Sequence, residues 1–200
     1  MPIHLRDIRH HAPPAEDLPS GDLALAPGSA PALQPAGATP APDATVIDGR
    51  GGLAMPGLVC AHHHAYSALA RGMPAPPRPP RDFAEILELV WWRLDRALDH
   101  DLIRASALAA AIDAVRCGVT CVVDHHASPH AIPGCLDVIA DAFAEVGLAH
   151  VLCLELSDRD GPDAAAAGLA ETARYLASGR PALVGLHASF TVGDQLLAAA

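Results

Sequence analysis

The 200-residue sequence predicts an α/β fold of the (β/α)8 TIM-barrel type, of which about the first four β/α units are present. From Gly52 onward, short apolar segments alternate with segments whose apolar residues recur at helical spacing, which is typical of a parallel sheet covered by helices. Polar residues and histidines follow directly after the strands, where barrels build their active sites. A doubly wound sheet is the alternative, but the sequence lacks a G-x-G-x-x-G motif after its first strand.

The individual elements follow from apolar spacing and from residues that begin or end helices. Asp82 precedes a helical pattern with Glu85 three residues later, which resembles a capping box. Glycines 118, 147 and 179 suit the position just after a helix. The predicted strands span residues 53–62, 119–123, 149–154 and 182–186, and the predicted helices span about 82–98, 101–117, 133–146, 162–177 and 194 onward.

The first 52 residues differ from the rest because they are rich in proline, which breaks long helices and central strands. We expect coil over residues 1–20 and short strands at 22–26 and 44–48. We therefore divide the chain into a proline-rich N-terminal segment, residues 1–52, and a barrel segment, residues 53–200. Because only four barrel strands are visible and the last helix has no stop signal, we expect the barrel to continue beyond residue 200.

Composition excludes several classes of partner. Thirteen arginines stand against 23 acidic residues, there is no lysine, and the formal net charge is −10. Such a chain lacks the basic surface of a nucleic-acid-binding protein, and anionic membranes would repel it. No charge-free run of about 18 residues predicts a transmembrane helix. The charged N-terminus and the absence of a Cys-x-x-Cys pair favour a reduced protein in the cytoplasm.

The clearest candidate for chemistry is the run PGLVCAHHH at residues 56–64. His62 and His64 lie one pleat apart, so they point to the same face of a strand, whereas His63 points to the other face. Two neutral imidazoles on one face can bind a single ion, and they suit zinc, iron or nickel. We therefore predict His62 and His64 as metal ligands.

Three other side chains are candidates for the pocket. His187 follows the fourth strand, His126 follows the second strand, and Trp92 lies on the helix between the first two strands. Adjacent helix positions face different sides, so we expect either Trp91 or Trp92 in the core and the other in the pocket or at a subunit contact.

Acidic residues after the strands are less clear candidates. Asp124 could support a ligand histidine through a hydrogen bond. Glu155 and Asp158 follow the third strand, and we interpret both as solvated loop charges.

Several of these motifs together resemble the amidohydrolase superfamily. The run VIDGRGGLAMPGLVCAHHH at 46–64 resembles the entry to its barrel, and RGM at 71–73, GVT at 118–120, DHHASP at 124–129 and HASFT at 187–191 extend the match. The resemblance covers roughly residues 44–200. It is strongest to the chlorohydrolase and aminohydrolase branch, and within it to the SsnA-type aminohydrolases.

The resemblance implies a fold and a metal site. Residues 1–52 would contain a remnant of a small β-sandwich that is built from both chain ends, and residues 53–200 would form the first half of the barrel. One divalent ion, zinc in preference to iron, would be held by His62 and His64 together with a histidine and an aspartate from later strands. His187 matches a histidine that contacts substrate, and we assign His126 and Trp92 to the same role.

The resemblance also implies a reaction. Metal-bound hydroxide would attack an sp2 carbon and displace ammonia from an amino-substituted heterocycle or a related small molecule. This makes the protein a hydrolase of C–N bonds other than peptide bonds. Cys60 and His63 depart from the residues usual in the branch, but neither removes a ligand. The proton-shuttling residues are expected beyond residue 200, so we assign no catalytic residue and predict that this chain alone is inactive.

Two alternatives stay open. One is a catalytically incompetent half barrel, which would expose sheet edges and an apolar face and so would aggregate or pair with another half. The other is a cyclic-amidase relative, which often needs a carboxylated lysine, whereas this chain has no lysine. We expect a small-molecule substrate as the partner, with self-association into a homo-oligomer allowed.

Overall fold

The strands form two separate four-stranded sheets, one in each of two units, in a computed structural model that describes residues 1–11 and 18–200. The first unit spans Met1–Gly57 and the second spans Leu58–Ala200. The division therefore lies at residue 57, near the sequence-based boundary at residue 52.

The first unit is a mixed sheet in the order β3-β2-β1-β4. Its strands are β1 (Ile3–His10), β2 (Ser20–Leu25), β3 (Ala32–Gln34) and β4 (Thr45–Ala54). β1 pairs antiparallel with β2 and parallel with β4.

The prediction of coil over residues 1–20 is wrong for β1. The prolines that suggested coil begin again only at residue 13, so the segment between residues 3 and 10 can donate its N–H groups to both neighbouring strands. Burial of His4 and Ile8 adds side-chain contacts to this pairing. The rest of the predicted coil includes residues 12–17, which lie outside the described residues. The strands predicted at 22–26 and 44–48 correspond to β2 and to the first half of β4.

The second unit contains a parallel sheet in the sequential order β5-β6-β7-β8. Its strands are β5 (Leu58–His63), β6 (Val119–His126), β7 (Ala149–Leu156) and β8 (Gly185–Leu186). A doubly wound sheet would reverse its strand order at a switch point. Four parallel strands in sequential order instead form a half barrel. The apolar run predicted as one strand, 53–62, is divided between β4 and β5 by Pro56 and Gly57.

Helices follow the parallel strands in alternation. A 3-10 helix, Ala65–Gly72, comes after β5. The segment predicted as one helix over 82–98 consists of α1 (Phe83–Ile86), a π-helical turn (Leu87–Trp91) and α2 (Trp92–Arg96). The remaining helices are α3 (His100–Arg116), α4 (Cys135–Val146), α5 (Pro162–Ala177) and α6 (Asp194–Ala199). No helix among the described residues has both the length and the apolar character needed to cross a membrane.

Helix ends agree with the residues that mark them in the sequence. The Asp82 side chain accepts a hydrogen bond from the backbone N–H of Glu85 at 2.9 Å, as an N-cap does. The Glu85 carboxylate does not complete a capping box, because it binds the guanidinium groups of Arg78 and Arg81. Gly118 and Gly147 have φ of 78° and 85°, a left-handed conformation that allows the chain to leave α3 and α4.

The core of the second unit lies between the sheet and helices α3 and α4. Phe143 and Ile139 on α4 and Leu152 on β7 are completely buried. Ala107 and Ala111 on α3 are also completely buried, and their small side chains allow close packing.

Apolar side chains remain exposed at both outer strands of the parallel sheet. Val59 on β5 is 63% exposed, and Leu183 and Val184 before β8 are 51% and 43% exposed. The half barrel therefore presents apolar surface on the strands that have a neighbour on only one side among the described residues.

Gly185 allows β8 to approach β7, and we predict that Gly185→Ala lowers the free energy of unfolding by about 1–3 kcal/mol. A Cβ atom at this position would lie 2.6 Å from the backbone oxygen of Leu154 and 2.9 Å from Sγ of Cys153. Urea denaturation checks the effect. The control Gly72→Ala introduces the same methyl group where no atom lies within 4 Å, and equal loss of stability in the two variants would contradict the prediction.

Candidate metal and substrate site

A cleft of about 690 Å³ opens at the carboxyl ends of the parallel strands. Each strand end contributes a polar side chain to its lining: His62, His125, Glu155 and His187 for β5, β6, β7 and β8 respectively. This arrangement follows from parallel pairing, because the carboxyl ends of all four strands meet at the same edge of the sheet.

His62 and His64 converge at one side of this cleft. Their Nε2 atoms lie 3.0 Å apart, and the ring planes are nearly perpendicular. Two nitrogens that each bind one zinc ion at about 2.0–2.1 Å are separated by about 4 Å at most, so this distance suits a shared ion. The Nδ1–H of His64 donates to the backbone oxygen of His125 at 2.8 Å, which leaves the Nε2 lone pair available.

Asp124 fixes the end of β5 from the neighbouring strand. Its fully buried carboxylate accepts hydrogen bonds at Oδ1 from Nδ1–H of His63, at 2.8 Å, and from the backbone N–H of Ala65, at 2.7 Å. The sequence suggested that Asp124 could support a ligand histidine. The structure instead shows Asp124 bound to His63, which separates the two ligand histidines in the sequence, and to the backbone of Ala65, so it holds the chain on both sides of His64.

The two histidines at the end of β6 occupy different environments. His125 lines the cleft, and burial lowers its pKa to about 4. His126 is fully buried in the core, where its Nε2 lies 2.9 Å from the hydroxyl of Ser128. The predicted substrate contact of His126 stays a prediction, and His125 is the member of the pair that faces the cleft. Sequence reasoning could have separated the two histidines by strand alternation, because Asp124 and His126 share one face and His125 the other.

His187 also lines the cleft, with its orientation set by Thr191. The Thr191 hydroxyl donates to the backbone oxygen of Ala188 at 3.1 Å and accepts from Nδ1–H of His187 at 2.7 Å. This arrangement leaves Nε2 of His187 free to accept a hydrogen bond. Burial lowers the pKa of His187, which favours the neutral ring.

Apolar side chains from the helical segment after the first strand form one wall of the cleft. Trp91 and Trp92 both line it, together with Phe83 and Leu87. One tryptophan was expected in the core, but the π-helical turn over Leu87–Trp91 changes the angular spacing of the residues that follow. The wall is therefore broader than a regular helix would provide.

Glu155 belongs to a buried ionic cluster, and its interpretation as a solvated loop charge is wrong. Its side chain is only 6% exposed, because the guanidinium group of Arg159 lies beside it. Arg159 also binds Asp95 at 2.6 Å and lies over the ring of Trp92, with its Cζ 5.4 Å from the ring centroid. Burial raises the pKa of Glu155 to about 7. Asp158 instead accepts a hydrogen bond from the backbone N–H of Gly193 at 2.7 Å.

The residues in this cleft fit part of a metal site. His62 and His64 offer two nitrogen ligands to one ion, but over residues 1–11 and 18–200 no group of three or more metal-binding side chains comes together. Cys153 also lines the cleft, and burial raises the pKa of its thiol to about 11. The described residues thus supply two coordination positions.

Comparison with known proteins identifies the family. A model of the amidohydrolase family matches residues 53–200. This chain belongs to the amidohydrolase family. The paired histidines of the cleft lie at the start of the region that the family model matches.

Curated relatives in the family include several deaminases. The chain is 31% identical over 149 residues to the 5'-deoxyadenosine deaminase of Methanopyrus kandleri, and the aligned region covers 72% of this chain and 32% of the relative. It is 30% identical over 148 residues to the 8-oxoguanine deaminase of Pseudomonas aeruginosa, covering 71% of this chain and 32% of the relative. The chain thus spans about a third of the length of these relatives.

Solved structures confirm the amidohydrolase fold. Atrazine chlorohydrolase TrzN from Arthrobacter aurescens TC1, complexed with zinc, superimposes with a TM-score of 0.73 at 19% identity over 98% of this chain and 49% of its own. Guanine deaminase from C. acetobutylicum gives a TM-score of 0.67 at 13% identity over 100% of this chain and 49% of its own.

We predict that His62→Ala and His64→Ala each abolish tight zinc binding by the intact native protein, because each removes one of two convergent nitrogens. Competition with a chromophoric chelator measures the affinity. The control His100→Ala changes an exposed histidine at the start of α3. Unchanged zinc affinity in both site variants would contradict the assignment of these ligands.

We also predict a pH effect on stability from His126. Burial lowers its pKa to about 4 in the folded chain, against about 6.5 in the unfolded chain. The unfolded state therefore binds more protons between these values, and stability is lost as the pH falls through this window. In urea denaturation, His126→Gln should reduce the loss between pH 7 and pH 5 by about 2 kcal/mol. An unchanged loss, equal to that of His100→Gln, would argue against it.

Proposed function

We propose that the protein is a metal-dependent aminohydrolase that releases ammonia from an amino-substituted heterocycle or a related small molecule. The observation that carries the proposal is the convergence of His62 and His64, with Nε2 atoms 3.0 Å apart, at the head of a cleft with an aromatic wall. The names of the curated relatives support the substrate class, since those reported above deaminate nucleosides or bases. Zinc is our preferred ion, with iron as the alternative, and the zinc complex of a structural neighbour supports it.

Different residues of the cleft would have different roles in this reaction. A divalent ion, when bound, would lower the pKa of a water molecule so that a nucleophile forms at neutral pH. His62 and His64 would hold the ion, and the carbonyl oxygen of His125 keeps His64 in the correct tautomer. His187, with Nε2 free, would orient the substrate by a hydrogen bond, and the wall that includes Trp92 would exclude water from the ring.

The organisation of the whole enzyme is part of the same proposal. The described residues offer two metal positions, and we propose that the chain forms the first half of a barrel and is inactive alone. The mixed sheet of the first unit would be the remnant of a β-sandwich, and we expect the assignment to the SsnA-type aminohydrolases to hold. A cytoplasmic location and a homo-oligomer remain predictions.

An ammonia-release assay tests the function. We expect the native gene product, loaded with zinc, to release ammonia from at least one member of a panel containing 5'-deoxyadenosine, guanine and 8-oxoguanine. A chelator should abolish release, His64→Ala should reduce it to background, and His100→Ala should leave it unchanged. The 200-residue chain should show none. Chelator-resistant release, or no release by the native product from a broad panel of amino-heterocycles, would contradict the proposal.

A further inference from the structure

Glu155 has one carboxylate oxygen in use and one that is free. Its Oε1 atom accepts from Nε–H of Arg159 at 3.2 Å. Within the described part of the chain, no side chain or backbone group donates a hydrogen bond to Oε2, and Nδ1 of His125 lies 3.9 Å from it. That distance is too long for a hydrogen bond. A side chain that is more than nine-tenths buried therefore presents an unpartnered acceptor at a cleft that it lines.

The surrounding cluster holds Glu155 in this position. Arg159 is clamped by Asp95, with its Nη2 2.6 Å from Oδ2, and by Asp160, with its Nη1 3.1 Å from Oδ2. Asp160 in turn binds Nε of Arg96 at 2.6 Å. Because every member is held by a neighbour, the Glu155 carboxylate cannot turn away from the cleft without breaking its bond to Arg159. Its orientation is therefore set before any ligand binds.

A bound ligand is the group that can donate the hydrogen bond that Oε2 of Glu155 lacks. Burial of the Glu155 side chain disfavours the charged carboxylate and raises its pKa to about 7, and a hydrogen bond donated to Oε2 would offset part of that cost. The same cleft has an apolar wall that includes Trp91, Trp92 and Phe83, which suits a flat ring. A flat ring with a hydrogen-bond donor at its edge would satisfy both features together.

We propose that Glu155 is a specificity-determining residue, which accepts a hydrogen bond from an N–H or O–H donor at the edge of a flat heterocycle bound in the cleft. This inference rests on the proposed function and narrows its substrate class. Rings with such a donor on the edge that faces β7 should bind, and rings without it should be rejected, because Oε2 would then be desolvated without a partner.

Binding of two matched bases tests the inference. 2-Aminopurine carries an exocyclic amino donor that purine lacks. Above pH 7, where the Glu155 carboxylate is charged, we expect the zinc-loaded protein to bind 2-aminopurine about tenfold or more tightly than purine, which is the range for a hydrogen bond to a charged group. Equilibrium dialysis gives the affinities. Tryptophan emission reports the location, because the sequence contains only two tryptophans and both line the cleft.

The variant Glu155→Gln should remove this preference. Arg159 offers only donors, so the amide oxygen of the glutamine would face Arg159 and the NH2 group would face the cleft. A donor would then oppose the amino group of the ligand, and the ratio of affinities should fall to about one. The control Glu88→Gln makes the same change at an exposed position on the π-helical turn and should leave the ratio unchanged. If Glu155→Gln does not fold, Glu155→Asp provides the test, because its shorter side chain withdraws the acceptor.

The outcomes separate this inference from the proposed function. An unchanged ratio in folded Glu155→Gln overturns the inference even if the native product releases ammonia. A ratio near one in the unaltered protein, or no binding of either base, overturns it as well. Tighter binding of 2-aminopurine than of purine, lost in Glu155→Gln, supports the inference. It does so even if no ammonia is released, and in that case only the proposed reaction fails.

Discussion

The buried carboxylate of Asp124 ties the end of β5 to the end of β6, and the arrangement of the two convergent imidazoles depends on this tie. One oxygen receives the His63 side chain and the Ala65 backbone N–H. His63 and Ala65 flank His64, so the backbone on both sides of His64 is held while its Nε2 atom faces that of His62. His63 thus has a structural partner of its own.

The parallel pairing of the strands extends this arrangement across the cleft. The register of β6 and β7 pairs Asp124 with Leu152 and His126 with Leu154, so the carboxyl ends of these two strands lie side by side at one edge of the sheet. Side chains of different chemistry therefore line the two sides of the same cleft. Imidazoles occupy the side formed by β5 and β6, and a network of arginines and carboxylates supports the β7 side. Under the two proposals, the first side would hold an ion and the second would accept a hydrogen bond from the edge of a ligand.

Burial affects the protonation of His125 and Glu155 more than any single charge does. For His125 and for Glu155, desolvation is the largest cause of the pKa shift, and in both it favours the neutral form. Arg159 opposes the shift of Glu155, since a nearby cation favours the carboxylate. An arriving donor would act in the same direction as Arg159, whereas a purely apolar ligand would strengthen the desolvation.

Local features of the sequence determined the β/α alternation, most of the helix ends and the pairing of His62 with His64, because these depend on periods of two and 3.6 residues and on caps. Only the tertiary structure decided which long-range partners meet. The burial of Glu155 follows from Arg159 and Asp95, which approach from different elements, and the bond between His63 and Asp124 joins residues 61 positions apart. Strand β1 also depended on long-range pairing, with β4 far along the chain. Such contacts leave no periodic signal in the residues that make them.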